Sequence, residues 1–128
     1  IYAVVIFRLK GGKMKYSKYN KYNNQKVEYE GKVFDSQMEF ARYRELQLLE
    51  RCGEIRDLRW QVSFELIPKQ PGEQAVKYVA DFVYLEGNKN VVEDAKGRRT
   101  PDYIIKRKLF KYRYPEYIFR ETGKDEIR

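Results

Sequence analysis

Residues 78–97 are YVADFVYLEGNKNVVEDAKG. Two apolar runs rich in valine and aromatic residues flank Glu86, Gly87 and Asn88. Such runs predict two strands, over about 77–85 and 90–95, joined by a tight turn and therefore antiparallel. Asp94 and Lys96 are two apart, so on a strand both side chains leave the same face. Asp81 lies on the preceding strand. Pairing the strands across the turn puts two carboxylates and an ammonium at one end of one sheet face. Charged groups in such company are out of place as core and point to chemistry.

Upstream, Leu58, Trp60, Val62, Phe64 and Leu66 alternate with polar residues, the pattern of a half-buried strand. Before it, residues 37–52 predict a helix with Ser36 as N-cap and Gly53 as its stop. Met38, Ala41, Leu46, Leu48, Leu49 and Cys52 share its expected apolar face, which makes Cys52 a core residue. Residues 27–34 alternate around Glu30-Gly31 as a small hairpin. Residues 13–26, KMKYSKYNKYNNQK, lack any apolar period and read as a flexible basic arm, a solvated tail or a nucleic-acid contact. Lys10-Gly11-Gly12-Lys13 directly before Met14 resembles a translated ribosome-binding site, so residues 1–13 are read either as an extension upstream of a natural start at Met14 or as an ordinary N-terminal strand. The expected layout is an extension and arm over 1–26 and one domain over 27–128.

Downstream, residues 68–73 form a turn. Thr100, Pro101 and Asp102 supply an N-cap, a first-position proline and a first-turn acid. The helix they start runs to about residue 114, with Ile104, Ile105, Leu109 and Tyr112 as its expected apolar face. Pro115 ends it, and residues 117–120 form a last strand. The order helix, three strands, helix, strand predicts an α/β fold with a mixed central sheet.

Composition narrows the chemistry. The 128 residues contain no histidine and one cysteine, Cys52. Imidazole bases, Ser-His-Asp and Cys-His hydrolysis, internal disulfides and Cys/His zinc sites are all excluded. A reduced, cytoplasmic compartment is expected. The apolar opening, residues 1–7, is too short to cross a bilayer and lacks a signal-peptide layout. Net charge is +8, with pI near 9.5 and mean hydropathy −0.81. That balance favours an anionic partner, nucleic acid before acidic membrane. What remains for hydrolysis is carboxylate, lysine and a hard cation.

Asp81, Asp94 and Lys96 fit that menu. Two carboxylates can hold Mg²⁺ or Mn²⁺ and leave positions for water and phosphate. A neighbouring lysine can orient or deprotonate the attacking water, or stabilise charge on phosphorus. Eight basic residues against one acid between 96 and 113 give that segment +7. Arg98, Arg99 and the helix start adjoin the carboxylates, where a phosphate would arrive.

The element order and these residues resemble the PD-(D/E)xK nuclease superfamily, whose restriction-endonuclease-like core is a helix, a three-stranded meander, a helix and a strand. The resemblance implies that Asp81, Asp94 and Lys96 form the catalytic site, with Asp81, Asp94 and the helix acid Glu39 as metal ligands. Ala80 stands where the family carries proline. Blocks such as YVADFVY, VVEDAKG and FDSQMEFARYRELQLLERCGEIRDL are similar to a phage-encoded family of small endonucleases, over nearly the whole chain after Met14. That likeness implies phage DNA recombination or processing in the bacterial host cytoplasm, with Holliday-junction resolution as one role. It also implies that lysines of the second helix line the cleft. Lys106 and Lys108 therefore join Arg98 and Arg99 as expected DNA contacts.

Glu39 has a second reading, since Ser36-x-x-Glu39 is a capping box. Glu93 adjoins Asp94 but faces the other way on a regular strand, so it is left out of the site. Other readings are a site-specific restriction-like endonuclease, a non-catalytic DNA-binding module and an RNA-directed protein. A four-way junction has two-fold symmetry, which makes a homodimer the expected active form.

Overall fold

The computed structural model of the chain describes residues 14–19, 25–96 and 98–123. The expected extension before Met14 and part of the expected arm, residues 20–24, lie outside them. The chain divides into two compact units, Ile1–Glu45 and Leu46–Arg128. The division falls inside a helix.

The first unit holds a three-stranded antiparallel sheet, β1 (Met14–Tyr19), β2 (Gln25–Tyr29) and β3 (Lys32–Phe34), in that order. The β2–β3 hairpin turns at Glu30 and Gly31, with φ of +50° and +78°. Two successive positive φ values match a type I′ turn, whose twist suits paired strands. β1 occupies residues expected to be a flexible arm. It pairs Met14, Lys15 and Tyr16 with Tyr29, Glu28 and Val27. Apolar periodicity could not reveal it, because an edge strand gains backbone hydrogen bonds whatever its side chains.

Helix α1 (Gln37–Arg51) begins in this unit. Phe40 packs 5.2 Å from the rings of both Tyr29 and Phe34, and Tyr43 lies 5.1 Å from Phe34. Phe40, Tyr43 and Leu46 are buried. The buried stripe is thus largely aromatic, correcting the aliphatic face expected from Met38 to Cys52. Aromatic rings offer more area per residue to bury and so set the helix orientation. Leu48 and Cys52 are exposed. Cys52 sits in the closing turn rather than on a packed face. There Gly53 (φ +82°) and Glu54 donate to the Glu50 and Leu49 carbonyls, a Schellman closure.

The second unit contains β4 (Arg56–Ile67), β5 (Val76–Glu86), β6 (Lys89–Ala95), α2 (Pro101–Arg113) and β7 (Ile118–Thr122). Its sheet runs β4-β5-β6-β7, antiparallel until β7, which lies parallel to β6. A parallel neighbour needs a crossover, and α2 supplies it. The β5–β6 hairpin turns at Gly87 (φ +63°) and Asn88, as its sequence predicts. β4 alternates between exposed and covered positions, whereas β5 is buried continuously from Ala80 to Tyr84. The described residues therefore form an α/β protein with a mixed four-stranded sheet and two helices. None of the described helices is long and apolar enough to cross a membrane.

The core of this unit gathers Phe64, Tyr78, Val83, Val92, Tyr103 and Phe110. α2 starts as expected, Thr100 Oγ1 accepting from the Tyr103 amide at 3.2 Å. Its packed face differs from the expected one. Ile104 and Leu109 are partly buried, but the fully packed residues are Tyr103 and Phe110, while Ile105 and Tyr112 are exposed. Ile105 and Tyr112 follow Tyr103 and Phe110 by two positions, about 200° round the helix. Phe110 is fully buried and lies 5.0–5.8 Å from the rings of Phe64, Tyr78, Tyr114, Tyr117 and Phe119. Phe110→Ala should cost about 3–5 kcal/mol of unfolding free energy, read by chemical denaturation. A loss below about 1 kcal/mol would contradict this central place.

Candidate active site

β5 and β6 are paired in register from Glu86↔Lys89 to Phe82↔Glu93. One step further, two carboxylates enter the ladder. The Asp81 amide donates to Asp94 Oδ1 at 3.1 Å, and the Ala95 amide donates to Asp81 Oδ2 at 2.9 Å. Each side chain is thereby tied to the backbone of the opposite strand. The Tyr78 hydroxyl donates to Asp94 Oδ2. Asp94 is 0% exposed and Asp81 9%, so these donors replace lost water.

The strand geometry is distorted at this point. The pairs Trp60↔Phe82 and Val62↔Ala80 bracket Gln61, whose φ is +51°. A non-glycine residue in that region costs on the order of 1–3 kcal/mol and marks a locally imposed conformation. Tyr78, Ala80 and Val83 share one core cluster although Val83 is three positions beyond Ala80. The two-residue alternation of β5 therefore slips at Asp81, directly across from Gln61.

Lys96 follows β6, its amide donating to the Thr122 carbonyl at 2.7 Å. A Cβ on Gly123 would stand 2.3 Å from the Lys96 carbonyl oxygen. Only glycine lets the end of β7 pass so close. The Lys96 ammonium lies 4.8 Å from the centre of the Tyr103 ring, within cation–π range.

The register of β6 with β7 sets Glu121 beside Asp94. Glu121 receives the Tyr103 hydroxyl and Arg107 Nη1, the latter 3.0 Å from both carboxylate oxygens. Arg99 Nε stands 3.4 Å from Oε1. Burial raises the Tyr78 and Tyr103 phenols far above their ordinary range, reinforced by Asp94 at Tyr78 and by the Glu121 bond at Tyr103. Both stay protonated and act as donors. Burial of Glu121 opposes its ionisation, but the Tyr103 hydroxyl and the Arg107 and Arg99 guanidiniums outweigh it and hold the carboxyl below its ordinary 4.5.

The structure brings Asp81 and Asp94 together and sets Lys96 just beyond them. Glu39 belongs to the other compact unit, where the capping box forms: its amide donates to Ser36 Oγ at 3.1 Å, and its Oε2 accepts from the Asp35 amide at 3.3 Å. Among the described residues, no three His, Cys, Asp or Glu side chains converge as a ready metal cage. Arg98 is exposed, Lys106 half-buried and Lys108 exposed. Glu93 points away from Asp94, accepting from the Tyr84 hydroxyl at 2.5 Å and the Thr122 hydroxyl at 3.1 Å. Sequence reasoning missed Tyr78, Tyr103, Arg107 and Glu121. With twelve tyrosines in the chain, nothing local distinguishes the two that serve the carboxylates. Glu121 is found only through the pairing of β7 with β6.

The described second unit is thus an α/β domain holding an interlocked acidic pair, a lysine and an arginine cluster at one end of a mixed sheet. The chain belongs to the family described as protein of unknown function (DUF1064), whose model matches residues 19–123. No curated protein and no solved structure matches it.

A carboxyl with a lower pKa folded than unfolded stabilises the fold above its unfolded value, and that contribution is lost as pH falls through the folded value. For Glu121, faced by Tyr103, Arg107, Arg99 and Asp94, the loss begins below about pH 4.5. Glu121→Gln should lack this component, so its stability should fall less steeply with acid than that of the wild type. Unfolding midpoints measured between about pH 3 and 7 test this. Parallel curves would refute it.

Proposed function

We propose that this chain is a divalent-metal-dependent endodeoxyribonuclease of the PD-(D/E)xK type. The observation that carries this reading is the crosswise bonding of Asp81 and Asp94 on adjacent strands, with Lys96 two residues beyond. The order α1, β4, β5, β6, α2, β7 supports reading the elements as a restriction-endonuclease-like core. The basic surface residues around α2 and the excess positive charge favour DNA as partner.

The donor set suits Mg²⁺ or Mn²⁺. Mg²⁺ is commonly held by one or two carboxylates, with water and substrate phosphate completing its shell. Asp81 and Asp94 would hold it. A carboxylate oxygen accepts at two lone pairs, so a strand amide on one does not bar a cation. When bound, the metal supplies an acidified water and a counter-charge for the phosphate. The strand amides and Tyr78 hold Asp81 and Asp94 in one orientation and limit their motion. Lys96, its ammonium against the Tyr103 ring and its amide on the Thr122 carbonyl, would orient or deprotonate the attacking water or stabilise charge on phosphorus. Arg98, Arg99, Lys106 and Lys108 would contact the DNA backbone. The proposed setting is phage DNA recombination or processing in the bacterial host cytoplasm, with branched DNA as substrate.

Asp81→Asn, Asp94→Asn and Lys96→Ala should each lower metal-dependent cleavage by roughly a thousandfold or more while the protein stays folded. Junctions, flaps, linear duplex and single strands incubated with Mg²⁺ or Mn²⁺ provide the assay. DNA binding without cutting by the wild type would replace this reading with a non-catalytic binding module.

The resolvase form of the proposal requires a homodimer, since two symmetric nicks call for two symmetric sites. Light scattering of free and junction-bound protein should show twice the chain mass in at least one state. A strict monomer in both, still active on linear DNA, would remove the resolvase role and leave a general nuclease.

A further inference from the structure

Glu121 stands in register with Asp94 yet has no part in the proposed chemistry. Its carboxylate gathers cations instead. Arg107 Nη1 lies 3.0 Å from each oxygen, Arg99 Nε 3.4 Å from one, and the Tyr103 hydroxyl donates to the other. Two guanidinium groups thus share one carboxylate, and the cluster keeps a net charge of about +1.

The exposure is graded in a useful order. The side chains are 34% exposed for Arg99, 22% for Arg107 and 15% for Glu121. The anchoring anion lies inside, and the cations that exceed it lie toward solvent. The cluster also adjoins the candidate active site. One ring, Tyr103, lies 4.8 Å from the Lys96 ammonium and 5.8 Å from the Arg107 guanidinium.

We propose that Arg99 and Arg107 form a subsite for one DNA phosphodiester neighbouring the cleaved one, with Glu121 as the positioning residue that holds both guanidiniums in place. This rests on the nuclease reading of Asp81, Asp94 and Lys96. The planar guanidinium fork matches the geometry of a phosphate's oxygens. Holding it in place before DNA arrives reduces the ordering cost of binding. Glu121 serves that purpose better than a neutral partner, because its charge offsets the repulsion between the two arginines.

The test uses the full chain and a fluorescently labelled DNA duplex. Binding is followed by anisotropy without divalent metal across a range of NaCl, and cleavage is followed with Mg²⁺. Arg107→Ala should weaken binding about tenfold and reduce the slope of log affinity against log salt by about one contact. KM should rise while kcat changes little. Arg107→Lys should keep the salt slope but lose part of the affinity. Glu121→Gln separates positioning from bulk charge. Removing a negative charge would tighten binding if charge alone mattered, whereas loss of positioning weakens it.

A neutral methylphosphonate at the neighbouring phosphate gives a test that needs no protein variant. It should reproduce the Arg107→Ala loss in wild type and add little further loss to that variant. If Arg107→Ala fails to fold, the methylphosphonate and Arg107→Lys arms decide. Unchanged KM and salt slope in folded Arg107→Ala, tighter binding by Glu121→Gln, or a methylphosphonate without effect at every neighbouring position overturns the subsite. If the wild type never cuts but Arg107→Ala still loses one contact of salt slope, the nuclease reading fails and the phosphate subsite stands.

Discussion

Two carboxylates buried side by side would ordinarily drive strands apart. Unit like charges about 4 Å apart repel by roughly 4 kcal/mol at an effective dielectric of 20. Here Asp81 and Asp94 each accept a backbone amide from the other's strand, and Tyr78 adds a third donor. Groups that would repel become the last rungs of the β5–β6 ladder. The surrounding structure is arranged around that exchange. Gln61 adopts a left-handed φ across from Asp81, β5 slips its alternation there, and Lys96 sits just beyond as the nearest sequence cation. The burial of Tyr78 keeps its phenol protonated, so the Asp94 carboxylate keeps its donor.

α2 joins this site to the core of its unit. Toward its C-terminal end, Phe110 fills the centre of an aromatic cluster drawn from β4, β5, β7 and the turn before β7. Nearer its N-terminus, Tyr103 and Arg107 hold Glu121, and Tyr103 also carries the Lys96 ammonium on its ring. One rigid helix therefore performs two duties. Phe110 fixes its height and rotation over the sheet by packing, and that rotation decides which side chains meet β7. A side chain as long as that of Arg107 could reach many groups on an isolated helix. It meets Glu121 because the contacts of Tyr103 and Phe110, about one turn to either side of it, leave the helix one orientation.

Adjacent residues on β6 take opposite parts. Asp94 faces Tyr78 and Asp81, whereas Glu93 faces Tyr84 and Thr122, with Arg120 donating to the Tyr84 hydroxyl at 2.9 Å. The regular pairing Phe82↔Glu93 and Val83↔Val92 enforces the separation. Both acids are buried and both rely on a tyrosine donor. Their difference lies in what else is near. The Asp94 side adds a second carboxylate, a lysine and an arginine-held Glu121. The Glu93 side joins a hydrogen-bond network that ends at the Arg120–Glu86 ion pair.

Much of the second unit was legible from local pattern. Period-two alternation marks β4, the Gly87 turn marks the β5–β6 hairpin, and Thr100-Pro101 marks the start of α2, because each depends on residues close in the chain. Helix faces were less legible. Helical spacing of apolar residues selected Cys52, Leu48, Ile105 and Tyr112, while the rings of Phe40, Tyr43, Tyr103 and Phe110 set the packing, because what faces a helix depends on the surface offered to it. β1 escaped detection because edge pairing needs only a backbone. Glu121 and Arg107 lie fourteen residues apart, and no spacing rule relates them to Asp94. Within the second unit, local pattern suffices for the order of elements and for the pairing of Asp81 with Asp94. The tertiary structure alone decided that Glu121 would lie beside that pair with two arginines and a tyrosine upon it, because the parallel register of β7 and the rotation of α2 are set by packing between distant parts of the chain.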